Sequence, residues 1–233
     1  MATDRAALAA LTAEIVVCRR CPRLVEWRER VAREKVARFR DETYWARPVP
    51  GFGDPDGRIL VVGLAPAAHG ANRTGRLFSG DASGDFLWAT LYRAGLADRP
   101  ASRRADDGLT LTDVYIAAAV RCAPPANKPT IDERDNCAPY LAGEVGLLGR
   151  ARVVVALGAF GWDAALRALA ANGARPATAT KPRFGHGAEV AVGDFVLVGT
   201  YHPSQQNTFT GRLTPAMFDA VFQRAVALAA EHA

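Results

Sequence analysis

The sequence lacks any apolar run near the roughly 20 residues that a membrane-spanning helix requires. Its first residues, MATDRAALAALTAEIVVCRRC, are interrupted by Asp4, Arg5 and Glu14, so the continuous apolar segment of a secretory signal is also missing. No repeat, low-complexity tract or linker-like stretch divides the 233 residues. We therefore expect a cytoplasmic protein without a membrane partner that folds as a single domain over residues 1–233. A monomer is our working expectation, although these sequence features do not determine the oligomeric state.

Lysine is scarce. Lys35, Lys128 and Lys181 are the only lysines among 29 basic residues, and the formal net charge is +5. Arginine suits phosphate better than lysine does, because its planar guanidinium donates two hydrogen bonds at once. An arginine bias in genomic base composition would produce the same abundance. The charge by itself therefore favours a nucleic-acid partner only modestly.

Cysteine is also rare, yet its four positions form a pattern. Cys18 and Cys21 have C-x2-C spacing, and Cys122 and Cys137 follow much later. Disulfides are not expected in a cytoplasmic protein, whereas four thiolates make a metal site. The alternative is four unrelated buried thiols. Spacing does not distinguish zinc from an iron–sulfur cluster. Such a group would staple the N-terminal helical segment 1–40 to the helix that carries Cys137.

Hydrophobic periodicity predicts an α/β protein. Apolar runs predict four buried strands at 58–64, 114–122, 152–158 and 194–202. Helical patterns cover 2–38 with a break near Cys21-Pro22, 84–96, 131–148, 159–172 and the segment from Pro215 to the C-terminus. Thr130 and Glu133 have the spacing of a capping box. This alternation predicts a mostly parallel sheet with helices on both faces.

Three polar, proline-bearing loops follow predicted strands. APAAHGANRTG comes after the first strand, APPANKP after the second and HPSQQN after the fourth. Open α/β sheets bind ligands in the crevice outside the carboxyl ends of their strands. The sequence therefore predicts a ligand site at this edge of the sheet.

The same loops carry a family resemblance. GLAPAAHGANRTGRLFSGDASG (63–84), AVRCAPPANKP (119–129) and HPSQQN (202–207), together with the four cysteines, resemble the uracil-DNA glycosylase superfamily. More narrowly they resemble its family 5, the type-b enzymes with a [4Fe-4S] cluster. The resemblance implies a three-layer α/β/α sandwich with a central four-stranded, mostly parallel sheet. It also implies a cluster held by Cys18, Cys21, Cys122 and Cys137.

The resemblance further implies a monofunctional DNA glycosylase. Such an enzyme extrudes uracil from double-stranded or single-stranded DNA and hydrolyses the N-glycosidic bond, which leaves an abasic site for base excision repair. Family 5 enzymes have a broader range than the uracil-specific members, so hypoxanthine, ethenocytosine and hydroxymethyluracil are further expected substrates.

Two side chains are the predicted catalytic residues. Related glycosylases carry a carboxylate or amide early in the first loop, but residues 65–68 here read Ala-Pro-Ala-Ala. Asp81, slightly downstream in SGDASGD, is therefore the candidate acid. Asp85 is the alternative, although its place where a helix begins also suits a residue that complements the helix dipole. His202 matches the histidine that donates a hydrogen bond to uracil O2 and stabilises the departing anion.

The resemblance also assigns binding roles, although Phe78 equally suits core packing and Asn127 a turn. The implied substrate-binding residues are Gly63, Ala65, Ala67, His69, Phe78, Ala118 and Asn127. The implied DNA-binding residues are Arg76, Arg121, Lys128, Ser204, Gln206 and Asn207. Residues 208–214 resemble the loop that enters the duplex.

Two other functions fit the same residues. One is a catalytically silent protein that binds damaged or single-stranded DNA, which the missing acid in GLAPAA favours and the retention of Asp81 and His202 opposes. The other is a zinc-stapled hydrolase of free nucleosides or nucleotides, which would release base from mononucleotides but not from oligonucleotides.

Overall fold

A computed structural model describes residues 3–178 and 180–231. Residues 1, 2, 179, 232 and 233, which belong to the predicted domain range, lie outside the described residues. The strands are β1 (Phe52–Gly53), β2 (Ile59–Gly63), β3 (Val114–Ala118), β4 (Val153–Leu157), β5 (Glu189–Val192) and β6 (Phe195–Thr200). The α-helices are α1 (Arg5–Val17), α2 (Pro22–Glu34), α3 (Ala71–Thr74), α4 (Ala82–Arg93), α5 (Ile131–Leu147), α6 (Gly158–Ala171), α7 (Gln205–Phe209) and α8 (Pro215–Glu231).

The strands form one sheet in the order β1-β3-β2-β4-β6-β5. The four predicted strands are confirmed as its parallel centre, β3-β2-β4-β6. The sheet has six strands rather than four, because β1 and β5 pair antiparallel with its two edges. Both edge strands are short and only partly buried, so neither has the long apolar run by which the central strands were predicted.

The central strands are buried on both faces, which explains their continuous apolar sequences. Successive side chains of a strand point to opposite faces. Ile59 and Val61 of β2 pack in one core cluster with α4 and α8, whereas Leu60 and Val62 pack in another with α5 and α6. The predicted three-layer α/β/α sandwich is therefore confirmed.

Side-chain caps set the starts of several helices. Asp4 caps α1 by accepting the Ala7 N–H at 2.9 Å, and Asp81 caps α4. The predicted capping box before α5 is confirmed, since Thr130 and Glu133 bond to each other's backbone N–H groups. In the N-terminal segment the helix breaks between Val17 and Pro22, which places both cysteines of the C-x2-C pair in the break. Among the helices of the described residues, none is long and apolar enough to cross a membrane.

Candidate active site

A cavity of about 300 Å³ lies at the carboxyl ends of the parallel strands. The three loops that the sequence singled out all contribute to it, and it contains both predicted catalytic side chains. Its lining residues are Leu64, Ala65, Ala67, Leu77, Phe78, Asp81, Ser83, Ala118, Asn127, His202 and Ser204. Leu64, Leu77 and Ser83 were not predicted. Ser83 follows Asp81 by two residues at the start of α4. Its closeness in sequence to the predicted acid is the feature that could have identified it as a cavity residue.

Asp81 is held at the cavity wall as the N-cap of α4. Its Oδ1 accepts the N–H of Gly84 at 2.9 Å, which leaves Oδ2 outside the cap hydrogen bond. Oδ2 lies against Gly70, where a Cβ would overlap it, so the first motif loop must carry glycine there. Burial raises the pKa of Asp81 above its ordinary value, while the N–H groups of Gly84 and Ser83 act in the opposite direction. Asp81 is thus a carboxyl group in a poorly solvated site.

Asp85, the alternative acid, points elsewhere. It lies in the first turn of α4 and is exposed. Together with Phe86 and Phe209 it lines a separate surface cleft rather than the cavity that holds Asp81. Its position suits the helix dipole.

The backbone of Phe78 is strained. Its φ of 56° falls in the left-handed region, which is unusual for a bulky residue. Trp88 Nε1 donates to the Phe78 carbonyl oxygen at 2.5 Å, and the absence of a side chain at Gly84 allows α4 to approach that oxygen. The ring lies against Gly63 at the end of β2, where a Cβ would come within 2.7 Å of Phe78 Cζ. Gly63 therefore does not line the cavity, contrary to the sequence-based assignment, but makes room for the aromatic ring that does.

His202 follows β6 and faces the same cavity. Burial lowers its pKa to about 4, so its imidazole is neutral at pH 7. Asn207 Nδ2 donates to the His202 carbonyl oxygen at 2.8 Å and fixes the backbone there. The ring centroid of His202 lies 6.2 Å from that of Phe78. A planar ligand stacked on Phe78 would therefore have a neutral hydrogen-bond donor close to its edge.

The other histidine predicted for the site, His69, does not line the cavity. Its Nδ1 lies 3.0 Å from the hydroxyl oxygen of Tyr44. Its carbonyl oxygen accepts a hydrogen bond from Arg73 Nε at 2.9 Å. The structure places the His69 ring against Tyr44 rather than in the cavity lining, and its role in substrate binding stays a prediction.

Two predicted DNA contacts are corrected by burial. Arg76 is 5% exposed and forms an ion pair with Asp107 at 2.5 Å. Arg121 is 1% exposed and forms an ion pair with Glu144, which is fully buried. Neither guanidinium lies at a surface that a phosphate can reach. The sequence shows the charge but not the carboxylate that folding brings to it.

The other predicted DNA contacts lie in two of the loops that contribute to the cavity. Lys128 and Gln206 are exposed, whereas Ser204 is partly buried in the cavity wall and Asn207 supports His202. Phe209, within the predicted insertion loop, is 80% exposed at the end of α7. An aromatic side chain exposed to this extent is a candidate contact surface.

The four cysteines share one small core cluster. Cys21, Cys122 and Cys137 are buried there, Cys18 packs at its edge, and none of the four forms a disulfide. In residues 3–178 and 180–231 no group of three or more His, Cys, Asp or Glu side chains is arranged to hold a metal ion.

The chemistry of this cluster nevertheless fits a thiolate-bound group. Arg28 Nη1 donates to Cys122 Sγ at 2.8 Å, and Asn136 Nδ2 lies 3.6 Å from Cys21 Sγ. Soft sulfur donors of this kind, with N–H groups directed at them, suit zinc or an iron–sulfur cluster. Ala65 packs against the cysteine cluster and also lines the cavity, so the two sites are separated by a single side chain.

The fold and the cavity together define a class of protein. A mostly parallel α/β/α sandwich carries a cavity lined by a carboxyl group, a neutral imidazole and an aromatic ring. The family model of the uracil DNA glycosylase superfamily matches residues 50–226. The chain belongs to this superfamily, which confirms the resemblance seen in its loops.

Its relatives narrow the similarity to one type. A type-5 uracil-DNA glycosylase of Mycobacterium bovis is 56% identical over 221 residues, which cover 94% of this chain and 81% of the relative. A type-5 uracil-DNA glycosylase of Thermus thermophilus is 54% identical over 216 residues, covering 92% and 95%. A type-4 uracil-DNA glycosylase of Pyrobaculum aerophilum is 36% identical over only 116 residues, covering 49% and 51%. The chain is thus similar to type-5 enzymes over nearly its whole length.

Proposed function

We propose that this chain is a monofunctional DNA glycosylase that hydrolyses the N-glycosidic bond of uracil extruded from DNA and leaves an abasic site for base excision repair. The observation that carries the proposal is the shared cavity of Asp81 and His202. The reaction needs both kinds of group, because bond cleavage leaves negative charge on the base and positive charge on the sugar.

His202 serves the leaving base. When the bond between C1′ and the base nitrogen breaks, its electron pair moves into the uracil ring, and the O2 oxygen gains negative charge. The neutral imidazole donates a hydrogen bond to that oxygen, as a donor of an oxyanion hole does. Since its pKa is lowered to about 4, the imidazole is a neutral donor throughout the physiological range.

Asp81 serves the sugar. Its ionised carboxylate stabilises positive charge that develops at C1′, and the free Oδ2 can accept a proton from the attacking water. Oδ1 is occupied by the Gly84 N–H, which fixes the orientation of the group. No lysine lines the cavity within the described residues, so water, rather than an amine of the chain, is the proposed nucleophile.

The cavity also supports a broad range of bases. Ala65, Ala67 and Ala118 present only methyl groups to its interior, and Phe78 offers a stacking surface that does not discriminate between planar rings. Asn127 is the side-chain amide available to a base edge. We therefore include hypoxanthine, ethenocytosine and hydroxymethyluracil among the proposed substrates.

Double-stranded and single-stranded DNA are the proposed partners. Lys128 and Gln206 are exposed in loops that contribute to the cavity, and Phe209 is exposed in the loop proposed to enter the duplex. An apolar wedge can occupy the space that an extruded nucleotide leaves. Extrusion costs a few kcal/mol, and least for mismatched or unpaired bases, so U·G mismatches and single strands should be good substrates.

We further propose that Cys18, Cys21, Cys122 and Cys137 hold a [4Fe-4S] cluster. The all-sulfur donor set and the N–H groups of Arg28 and Asn136 beside it support this assignment. The cluster would supply a covalent link between the break after α1, the loop after β3 and helix α5. No step of base excision passes through it. Iron and sulfide analysis of the purified protein distinguishes it from zinc.

The test is base release from a uracil-containing duplex, with Asp81→Asn assayed beside the wild type. Release by the wild type and its loss in the variant are the expected results. Binding of DNA without release from uracil, hypoxanthine or ethenocytosine would instead identify a damage-binding protein. Release from mononucleotides alone would identify a nucleotide hydrolase.

A further inference from the structure

Among the described residues, one buried arginine forms no ion pair with a carboxylate. Arg28, on α2, is 2% exposed, and its Nη1 donates to Cys122 Sγ at 2.8 Å. Nη1 and Nη2 each lie 3.3 Å from the carbonyl oxygen of Cys18. The buried Nε has no hydrogen-bond partner among the described residues. Arginine is almost never fully buried without a compensating charge.

The other buried arginines follow that rule. Arg73 pairs with Glu42, Arg76 with Asp107 and Arg121 with Glu144. In each case a carboxylate balances the guanidinium charge. Arg28 differs because its guanidinium bonds only to a sulfur atom and a peptide oxygen among the described residues, and neither is a fixed anion when the cysteines are thiols.

We propose that Arg28 is the buried counter-ion of the iron–sulfur cluster. The inference rests on the cluster proposed above. Four thiolates around a [4Fe-4S] core leave a net negative charge, which one guanidinium directed at Cys122 Sγ partly balances. Net charge and hydrogen bonds to sulfur are among the factors that set the reduction potential of such clusters. Arg28 therefore raises that potential and slows the loss of iron, as a positioning residue that does not touch the substrate.

The contact between the Arg28 side chain and Cys122 can be removed without breaking the hydrogen bond that ties the α2 backbone to Asn72. Asn72 Nδ2 donates to the carbonyl oxygen of Arg28 at 3.2 Å, and this hydrogen bond does not depend on the arginine side chain. Asn72 lies in α3, directly after the loop that lines the cavity. A neutral replacement of Arg28 therefore changes the charge beside the cysteines while the tie between α2 and the cavity loop persists.

The experiment compares Arg28→Met and Arg28→Gln with Arg28→Lys in iron-loaded protein. For the neutral variants we expect iron release to a chelator to become at least tenfold faster. At a fixed applied potential the ratio of reduced to oxidised cluster should fall at least tenfold, which for a one-electron couple corresponds to about 59 mV. Arg28→Lys, which keeps the charge but not the planar fork, should fall between these variants and the wild type.

Arg23→Met is the matched control. Arg23 lies on the same helix as Arg28, but its guanidinium bonds to Glu133 of α5 rather than to sulfur. Its iron release and reduction potential should match those of the wild type.

Each outcome decides the question. If the neutral Arg28 variants release iron at the wild-type rate and have the wild-type reduction potential, the inference about Arg28 is overturned, although the cluster proposal is not. A wild type without iron or sulfide would remove the cluster itself. If Arg28→Met fails to fold, Arg28→Gln decides, because its amide retains a donor for the Cys18 carbonyl oxygen while the charge is lost.

Discussion

The rings of Phe78 and His202 lie 6.2 Å apart between centroids, with their planes inclined by 34°. Both side chains line the same cavity, although 124 positions of sequence separate them. Phe78 is held there by a backbone in the left-handed region, and His202 by the end of β6. This pair defines where a base would stack and which edge would meet a donor.

Asp81→Asn should abolish most base release and leave the fold intact. Asparagine caps a helix as well as aspartate does, so the substitution removes the charge and keeps the cap of α4. We expect turnover to fall by about 10²–10⁴-fold, as for other acid–base groups. Single-turnover assays on a uracil duplex measure the loss, and gel-shift assays should show that DNA binding survives. Asp85→Asn, which changes the exposed neighbour, should retain wild-type turnover; a loss there as large as that of Asp81→Asn would reassign the acid.

The pH dependence should report Asp81 and not His202. Burial raises the pKa of Asp81, so turnover should fall on acidification at a pH above the ordinary carboxyl value of about 3.9. His202, with its pKa lowered to about 4, should produce no inflection near pH 6.5. A stopped-time assay from pH 4.5 to 8.5 provides the profile. An inflection near 6.5 that disappears in His202→Gln would contradict the assignment of a neutral imidazole.

His202→Ala should slow bond cleavage by about 10²–10³-fold, the usual cost of losing one oxyanion donor. The fold should also respond to this change. Because the native pKa is depressed, the unfolded chain binds a proton between pH 6.5 and about 4 that the native chain does not, so His202 makes stability fall as pH decreases through that window. Urea unfolding of wild type and variant at several pH values should show a shallower decline for His202→Ala. A turnover loss below tenfold in His202→Ala would indicate that backbone amides, rather than His202, stabilise the departing base.

Gly63→Ala should narrow the cavity without unfolding the protein. The new methyl group would lie 2.7 Å from Phe78 Cζ, so the rigid ring must shift from its present position in the cavity wall. We expect kcat/KM on uracil DNA to fall at least tenfold, a loss of about 1.4 kcal/mol in transition-state stabilisation. Gly185→Ala is the matched control, since its nearest neighbour, Ala188 Cβ, would lie at 3.6 Å. Equal activity of Gly63→Ala and Gly185→Ala would show that the contact between Gly63 and the Phe78 ring does not affect catalysis.

Substitution of Arg121 should lower the stability of the fold, whereas substitution of Lys128 should weaken DNA binding. Arg121→Met leaves Glu144 buried without its partner, so we expect the free energy of unfolding to fall by about 3–5 kcal/mol. Lys128→Met should leave the free energy of unfolding unchanged. It should reduce the slope of log K for DNA binding against log salt concentration by about 1, the effect of losing one phosphate contact. Urea melts and fluorescence anisotropy at several salt concentrations measure both quantities. Normal stability of Arg121→Met would mean that the buried pair contributes nothing.

Phe209→Ala should impair excision from duplex DNA more than from single strands. The ring is 80% exposed, so its removal changes little inside the fold. Only the duplex requires an extruded base to be replaced in the stack. Parallel assays on the two substrates give the ratio. Tyr92→Ala removes a half-exposed aromatic side chain from the C-terminal part of α4 and should affect neither substrate.

Much of the fold was determined by sequence pattern alone. The central strands are buried on both faces, so their apolar runs were unmistakable, and the Thr130–Glu133 spacing located the start of α5. The three proline-bearing loops pointed to the correct edge of the sheet, since parallel strands place their carboxyl ends together. The edge strands β1 and β5 were not predicted, because strands this short and partly exposed show no hydrophobic periodicity.

Only the tertiary structure decided what each polar side chain meets. Arg76 and Arg121 looked like phosphate contacts, yet each has a carboxylate brought from a distant segment, and His69 is engaged by Tyr44. Arg28 gave no signal in the sequence, and its contact with Cys122 joins residues 94 positions apart. Local pattern fixes strands and helices because they depend on near neighbours. The state of a charged or titrating group depends on burial and on partners from other elements, and these exist only after the chain has folded.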